Sequence, residues 1–176
     1  MKLQNVFLCG LGLVLLYACR LSGQEVPERL QTGFQPLDER LSSMVTADSL
    51  SISAEEAADL PNAVFLDARE PAEYEVSHLP GALSLGYKDP DYSVLDNLDP
   101  DRPLVVYCTI GYRSERMAEE LKSRGFQQVY NLYGSIYAWL ISGHDVVDAS
   151  GPTERVHTYN RKWGGYLPDS VFTKVY

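Results

Sequence analysis

The sequence predicts an α/β domain, a mostly parallel central sheet with helices on both faces. Three observations lead there. Short apolar runs at 63–67, 103–107 and 128–132 have the length of buried strands. Helix-like stretches separate them, which is the arrangement parallel neighbours require. Gly125 and Gly143 stand where two of those helices should stop, as glycines do beyond a helix C-terminus. A sheet built this way is covered on both sides.

In chain order, residues 20–35 are polar, contain Gly and Pro, and read as a tether. Residues 36–44 follow as a short helix with Leu37, Leu41 and Met44 on one face, so 19–49 is expected to be tether plus N-terminal helix. Residues 50–52 form a candidate edge strand. Ser53 and Glu56 have capping-box spacing and open a helix ending near Pro61. The strand at 63–67 leads to a short helix at 71–77 and a short strand at 82–85. Residues 89–103, rich in Asp and Pro, are expected to be loop with some helix. Strand 103–107, helix 114–124, strand 128–132 and helix 135–142 complete a domain spanning 50–148. The extension 149–176 is rich in Tyr and carries Trp163, Gly164 and Gly165; it should pack on the domain, with 171–176 adding an edge strand.

With 45% hydrophobic and 22% charged residues in 176, the chain can build a real core. Fifteen basic against 24 acidic residues give a net charge of −9. Nucleic acid and anionic membrane surfaces are thereby disfavoured as main partners, since both would be repelled.

Residues 1–18 read as a secretory signal: Lys2 supplies the positive start and 6–16 an apolar stretch of secretory length. Leu16-Tyr17-Ala18-Cys19 resembles a bacterial lipoprotein box, with Tyr17 bulkier than usual. Cys19 would carry the lipid, making the protein an exported periplasmic or cell-envelope lipoprotein that meets the membrane only through that anchor. The rival is an ordinary cleaved signal or an uncleaved anchor. Of three cysteines, Cys9 would leave with the signal and Cys19 would be lipidated, so Cys108 remains as the free thiol. The three His and this one thiol show no ligand spacing, so neither metal nor another cofactor is expected.

Cys108 stands where the 103–107 strand ends and a helix is about to start. Amides of residues 109–113 should face inward there, and such a cradle favours thiolate. Thr109, Ile110, Gly111, Tyr112, Arg113 and Ser114 are the candidate substrate-binding residues, with Cys108 the candidate nucleophile.

Four separated motifs across residues 50–148 carry a family resemblance. They are Leu66-Asp67-Ala68-Arg69-Glu70-Pro71-Ala72-Glu73-Tyr74, then Ser77-His78-Leu79-Pro80-Gly81-Ala82, then Cys108-x-x-Gly111-x-Arg113-Ser114, and finally the strand and helix from Val129 to Trp139. The chain resembles the rhodanese superfamily in its single-domain form; Gly134-Ser135 departs from the usual Gly-Gly. The resemblance implies a sulfurtransferase working through a Cys108 persulfide, fed by a small anionic donor such as thiosulfate and emptied by a thiol acceptor. Phosphatases related in fold carry Cys-x5-Arg, whereas here Cys108 and Arg113 make Cys-x4-Arg. The shorter ring favours sulfur transfer over phosphatase or arsenate reductase chemistry. A non-catalytic binding module or persulfide carrier is the other alternative.

Arg113 has two readings, donor binding and bracing of the loop, with the first favoured. Asp67 and Arg69 should lie near the same sheet edge, more as a structural ion pair than as ligands. His78 should order its turn by hydrogen bonds rather than act as a base. His157, Tyr159, Trp163 and Tyr166 of the extension are expected to serve packing more than to cover the site.

Overall fold

In this computed structural model, which describes residues 25–169 and 172–176, one sheet holds five strands. They are β1 (Ser51–Ile52), β2 (Val64–Asp67), β3 (Leu83–Ser84), β4 (Leu104–Tyr107) and β5 (Val129–Leu132), ordered β1-β5-β4-β2-β3 with every pair parallel. The leader and Cys19 lie outside the described residues. Among the described residues no helix is long and apolar enough to cross a membrane.

Successive side chains of a strand point to opposite faces, and here both faces are apolar. Val64, Leu66, Leu104, Val106 and Val129 pack on one side against Met117, Ala118 and Leu121 of α4 (Tyr112–Ser123). Val105, Tyr107, Ile52 and Leu132 pack on the other. That second layer is made of α1 (Gln35–Ser42), α2 (Ala54–Ala58), α3 (Pro71–Val76) and α5 (Ser135–Ile141). Ser53 accepts from the Glu56 amide and Glu56 from the Ser53 amide, which starts α2 where the spacing required.

Three local differences from the sequence expectation matter. The helix after Cys108 starts two positions early, at Tyr112, because Gly111 takes φ +116 and turns the chain directly into it. Tyr112 and Arg113 therefore sit on a first helical turn, not on a loop. The stretch read as a tether is packed from Val26 onward. Residues Glu28–Leu30 form a 3₁₀ turn, Leu30 is 2% exposed, and Arg29 donates to Glu56 at 2.8 Å. Val26 and Leu30 give that segment an apolar anchor, which a polar average over it hides. The third difference is in the extension.

Beyond α5 the chain makes β6 (Val146–Asp148) and β7 (Gly151–Thr153), an antiparallel pair, then β8 (Arg155–His157), α6 (Arg161–Gly164) and β9 (Thr173–Val175). β9 pairs with β8 in parallel and does not join the main sheet. Val156 and Leu167 are buried in the core, and Tyr137 Oη donates to the Trp163 carbonyl at 3.2 Å.

Candidate active site

At the C-terminal end of β4 the backbone leaves the sheet at Cys108 and wraps around its own sulfur. The Gly111 amide donates to Sγ at 3.2 Å. Gly111 is favoured there by its φ of +116, and a Cβ would also crowd Val45 Cγ1 at 3.2 Å. From β5, Asn131 Nδ2 donates to the Gly111 carbonyl at 3.2 Å, and Ser114 Oγ donates to Asn131 Oδ1 at 2.7 Å. From the start of α5, Ser135 Oγ accepts the Cys108 amide at 3.0 Å. Open α/β sheets assemble sites along this edge.

Arg113 spans the other side. Its guanidinium grips Glu73 of α3 through two bonds, 2.7 and 2.8 Å, and donates to Thr109 Oγ1 at 3.0 Å. Arg113, expected mainly to bind the donor, thus also braces the loop against α3 while lining the cavity above Cys108. Its charge still reaches the sulfur. Burial pushes the Cys108 thiol up, but Arg113, the amides of Ser114 and Gly111, and the Ser114 hydroxyl pull it down further, leaving it below its ordinary value. Burial likewise raises Glu73, yet the Arg113 bonds and charge hold its carboxyl below the usual range.

A cavity of about 440 Å³ opens over Cys108, which is 1% exposed at its floor. Thr109, Ile110, Tyr112 and Arg113 line it. Gly111 and Ser114, grouped with them from sequence, do not; they act from behind the sulfur, Ser114 being fully buried. Asp67 and Arg69 form an entirely buried ion pair of 2.6 Å, and Arg69 also donates to the Ser77 carbonyl, so both lie away from the cavity. His78 stacks on Tyr74 at 3.8 Å, with Nδ1 3.0 Å from the Tyr74 carbonyl, and fixes its turn. Of the extension, Tyr159 and Trp163 line the cavity, the less favoured of the two roles expected for them; His157 and Tyr166 do not. α6 is seated by Tyr137 and by Arg40 of α1, whose guanidinium carbon lies 5.1 Å from the Trp163 ring, and from that seat Trp163 lines the opening.

Glu73, Asn131 and Ser135 were not singled out from sequence. Glu73 stands within the Asp-x-Arg-x-x-x-Glu motif, and Ser135 is the departure from Gly-Gly, so two of the three left a mark. Asn131 offered only a polar residue inside an apolar strand.

The model of the Rhodanese-like domain family matches residues 53–142. The chain is 32% identical over 100 residues to a thiosulfate:glutathione sulfurtransferase of Saccharomyces cerevisiae, covering 50% of this chain and 72% of that one. It is 35% identical over 88 residues to thiosulfate sulfurtransferase GlpE of Coxiella burnetii, covering 49% and 79%. A chloroplastic Rhodanese-like/PpiC domain-containing protein of Arabidopsis thaliana is 32% identical over 114 residues, 62% of this chain but 36% of that one. Among solved structures, the rhodanese-like domain of an Anabaena protein superposes with TM-score 0.51 at 23% identity, covering 57% of this chain and 80% of that chain, a likeness of fold. A family model spanning half of the sequence, over the sheet and cysteine loop just described, makes the chain a member of the rhodanese-like domain family.

Proposed function

We propose that this protein moves sulfane sulfur through a persulfide on Cys108. The observation that carries the reading is the sulfur's setting: it accepts the Gly111 amide at 3.2 Å and its pKa is lowered against the pull of burial. The thiolate attacks the outer sulfur of a small anionic donor, and the donor's remaining part leaves with the bonding electrons. The same amides that hold the thiolate hold the terminal sulfur of the persulfide. A thiol acceptor then takes that sulfur. The names of the yeast and Coxiella relatives, a thiosulfate:glutathione sulfurtransferase and a thiosulfate sulfurtransferase, support donor and acceptor classes of this kind.

One observation favours a rival, a rhodanese-fold binding module: Cys108 is 1% exposed. Incubation with thiosulfate, followed by mass spectrometry, decides between them. A gain of about 32 Da, one sulfur, is expected on the wild type and absent from Cys108→Ser. No gain from any of several donors supports the binding module. Turnover of an aryl phosphate or arsenate in place of sulfur transfer would overturn both.

We further propose that the protein is exported and lipid-anchored through Cys19, a reading supported by the leader pattern and the lipoprotein-box spacing at Leu16-Tyr17-Ala18-Cys19. Metabolic labelling with palmitate should mark the wild type and not Cys19→Ala, which should leave the membrane fraction.

A further inference from the structure

Beyond the cradle, the cavity walls are Met44, Tyr87, Tyr112, Tyr159 and Trp163. Met44, Tyr159 and Trp163 lie outside residues 53–142, the part that the family model matches. They come from the end of the N-terminal helical segment and from the extension, and cations flank two of them. The Arg40 guanidinium carbon lies 5.1 Å from the Trp163 ring, and that of Arg113 lies 5.7 Å from the Tyr159 ring. The volume of about 440 Å³ falls within the range of sites for small organic molecules, roughly 300–1,000 Å³.

The charges point the same way. Glu70, Lys88 and Arg113 are the charged residues lining the cavity. Arg113 is bound to Glu73, and Glu70 matches Lys88 in number, so beyond the cradle around Cys108 the side-chain charges of the walls leave no surplus cation for a doubly charged anion. Drying a dianion against aromatic rings is costly, whereas an apolar substituent gains by it.

We propose that this cavity selects an organic sulfane donor, a persulfide or thiosulfonate with an aromatic or apolar substituent, over inorganic thiosulfate. The assignment rests on the sulfur-transfer reading above. With a thiosulfonate R–SO₂–S⁻, the Cys108 thiolate bonds to the outer sulfur and the old S–S bond breaks. R–SO₂⁻ departs with the electron pair, and charge and atoms balance without an added oxidant. With a persulfide R–S–SH the leaving group is R–S⁻, and the proton stays with the new persulfide. Tyr159 and Trp163 would hold R in either case.

The test uses the full chain, with cyanide as acceptor and benzenethiosulfonate, methanethiosulfonate and thiosulfate as donors. The expected kcat/KM is higher for the benzene than for the methane compound by about tenfold or more, with thiosulfate lowest. In Tyr159→Ala and Trp163→Ala that benzene-to-methane ratio should fall toward one; Trp163→Leu replaces the latter if it unfolds. A ratio near one in the wild type, thiosulfate as the preferred donor, or a ratio the variants leave intact would overturn the assignment. If no donor loads Cys108, the sulfur-transfer reading fails instead. Calorimetric titration with benzenesulfinate then still judges the cavity: binding weakened in the variants upholds the aromatic site, and absent or unaltered binding sinks it.

Discussion

At Cys108 burial and electrostatics oppose each other, and the electrostatics prevail. Thiolate should therefore form at lower pH than in an unfolded peptide, whose thiol keeps the ordinary value of 9.0. Alkylation by iodoacetamide should rise with pH through an inflection below that value, and Arg113→Ala should move the inflection upward. An inflection at the ordinary value would remove the basis for a poised nucleophile. Glu73 gives a stability test. Its carboxyl titrates lower in the folded chain than the ordinary 4.5, so the unfolded chain binds more protons below that pH. The contribution is complete above about 4.5 and is lost as pH falls through the folded value. Glu73→Gln, leaving Arg113 unpaired at 14% exposure, should cost roughly 2–4 kcal/mol in urea unfolding at pH 7, and less at pH 3.

At the scale of elements, the approach of α5 to the β4–α4 loop decides how Cys108 is held. Gly134 has φ +74, and a Cβ there would meet Ala138 Cβ at 2.7 Å, so any side chain would push the helix off its seat. Ser135 follows with φ 52, unusual for a residue with a side chain, and its hydroxyl accepts the Cys108 amide. Ser135→Ala should leave that buried amide unsatisfied and cost about 1–3 kcal/mol by denaturant unfolding. Ser135→Gly relaxes the backbone as well and should cost less; equal losses would mean the hydroxyl rather than the φ sets the difference. This contact could not be read locally. The Gly-Ser pair marked the position as unusual, but only the packing of α5 across the sheet edge aims the hydroxyl at a residue 27 positions away.

For the whole molecule, the extension is structural as well as part of the cavity. Val156 and Leu167 are almost fully buried, and such side chains contribute about 1.5–3 kcal/mol each on burial. Deleting residues 150–176 should lower the thermal midpoint by several degrees and expose apolar surface that binds a hydrophobic dye. A midpoint left in place would mean the domain is sealed without it. The strands, helices and glycine stops were legible from sequence because each depends on a few neighbouring residues and a fixed period. The Cys108 loop was legible for the same reason. Contacts between distant segments were not: Arg113 meets Glu73 across 40 positions, and Tyr159 and Trp163 reach the cavity through a tail with no periodic signal of its own. Local spacing thus determined the α/β class and placed Cys108 on a loop between strand and helix. Tertiary packing decided that the arginine meets Glu73 while lining the cavity, and that the cavity has aromatic walls, because both depend on which surfaces come together when the apolar faces are buried.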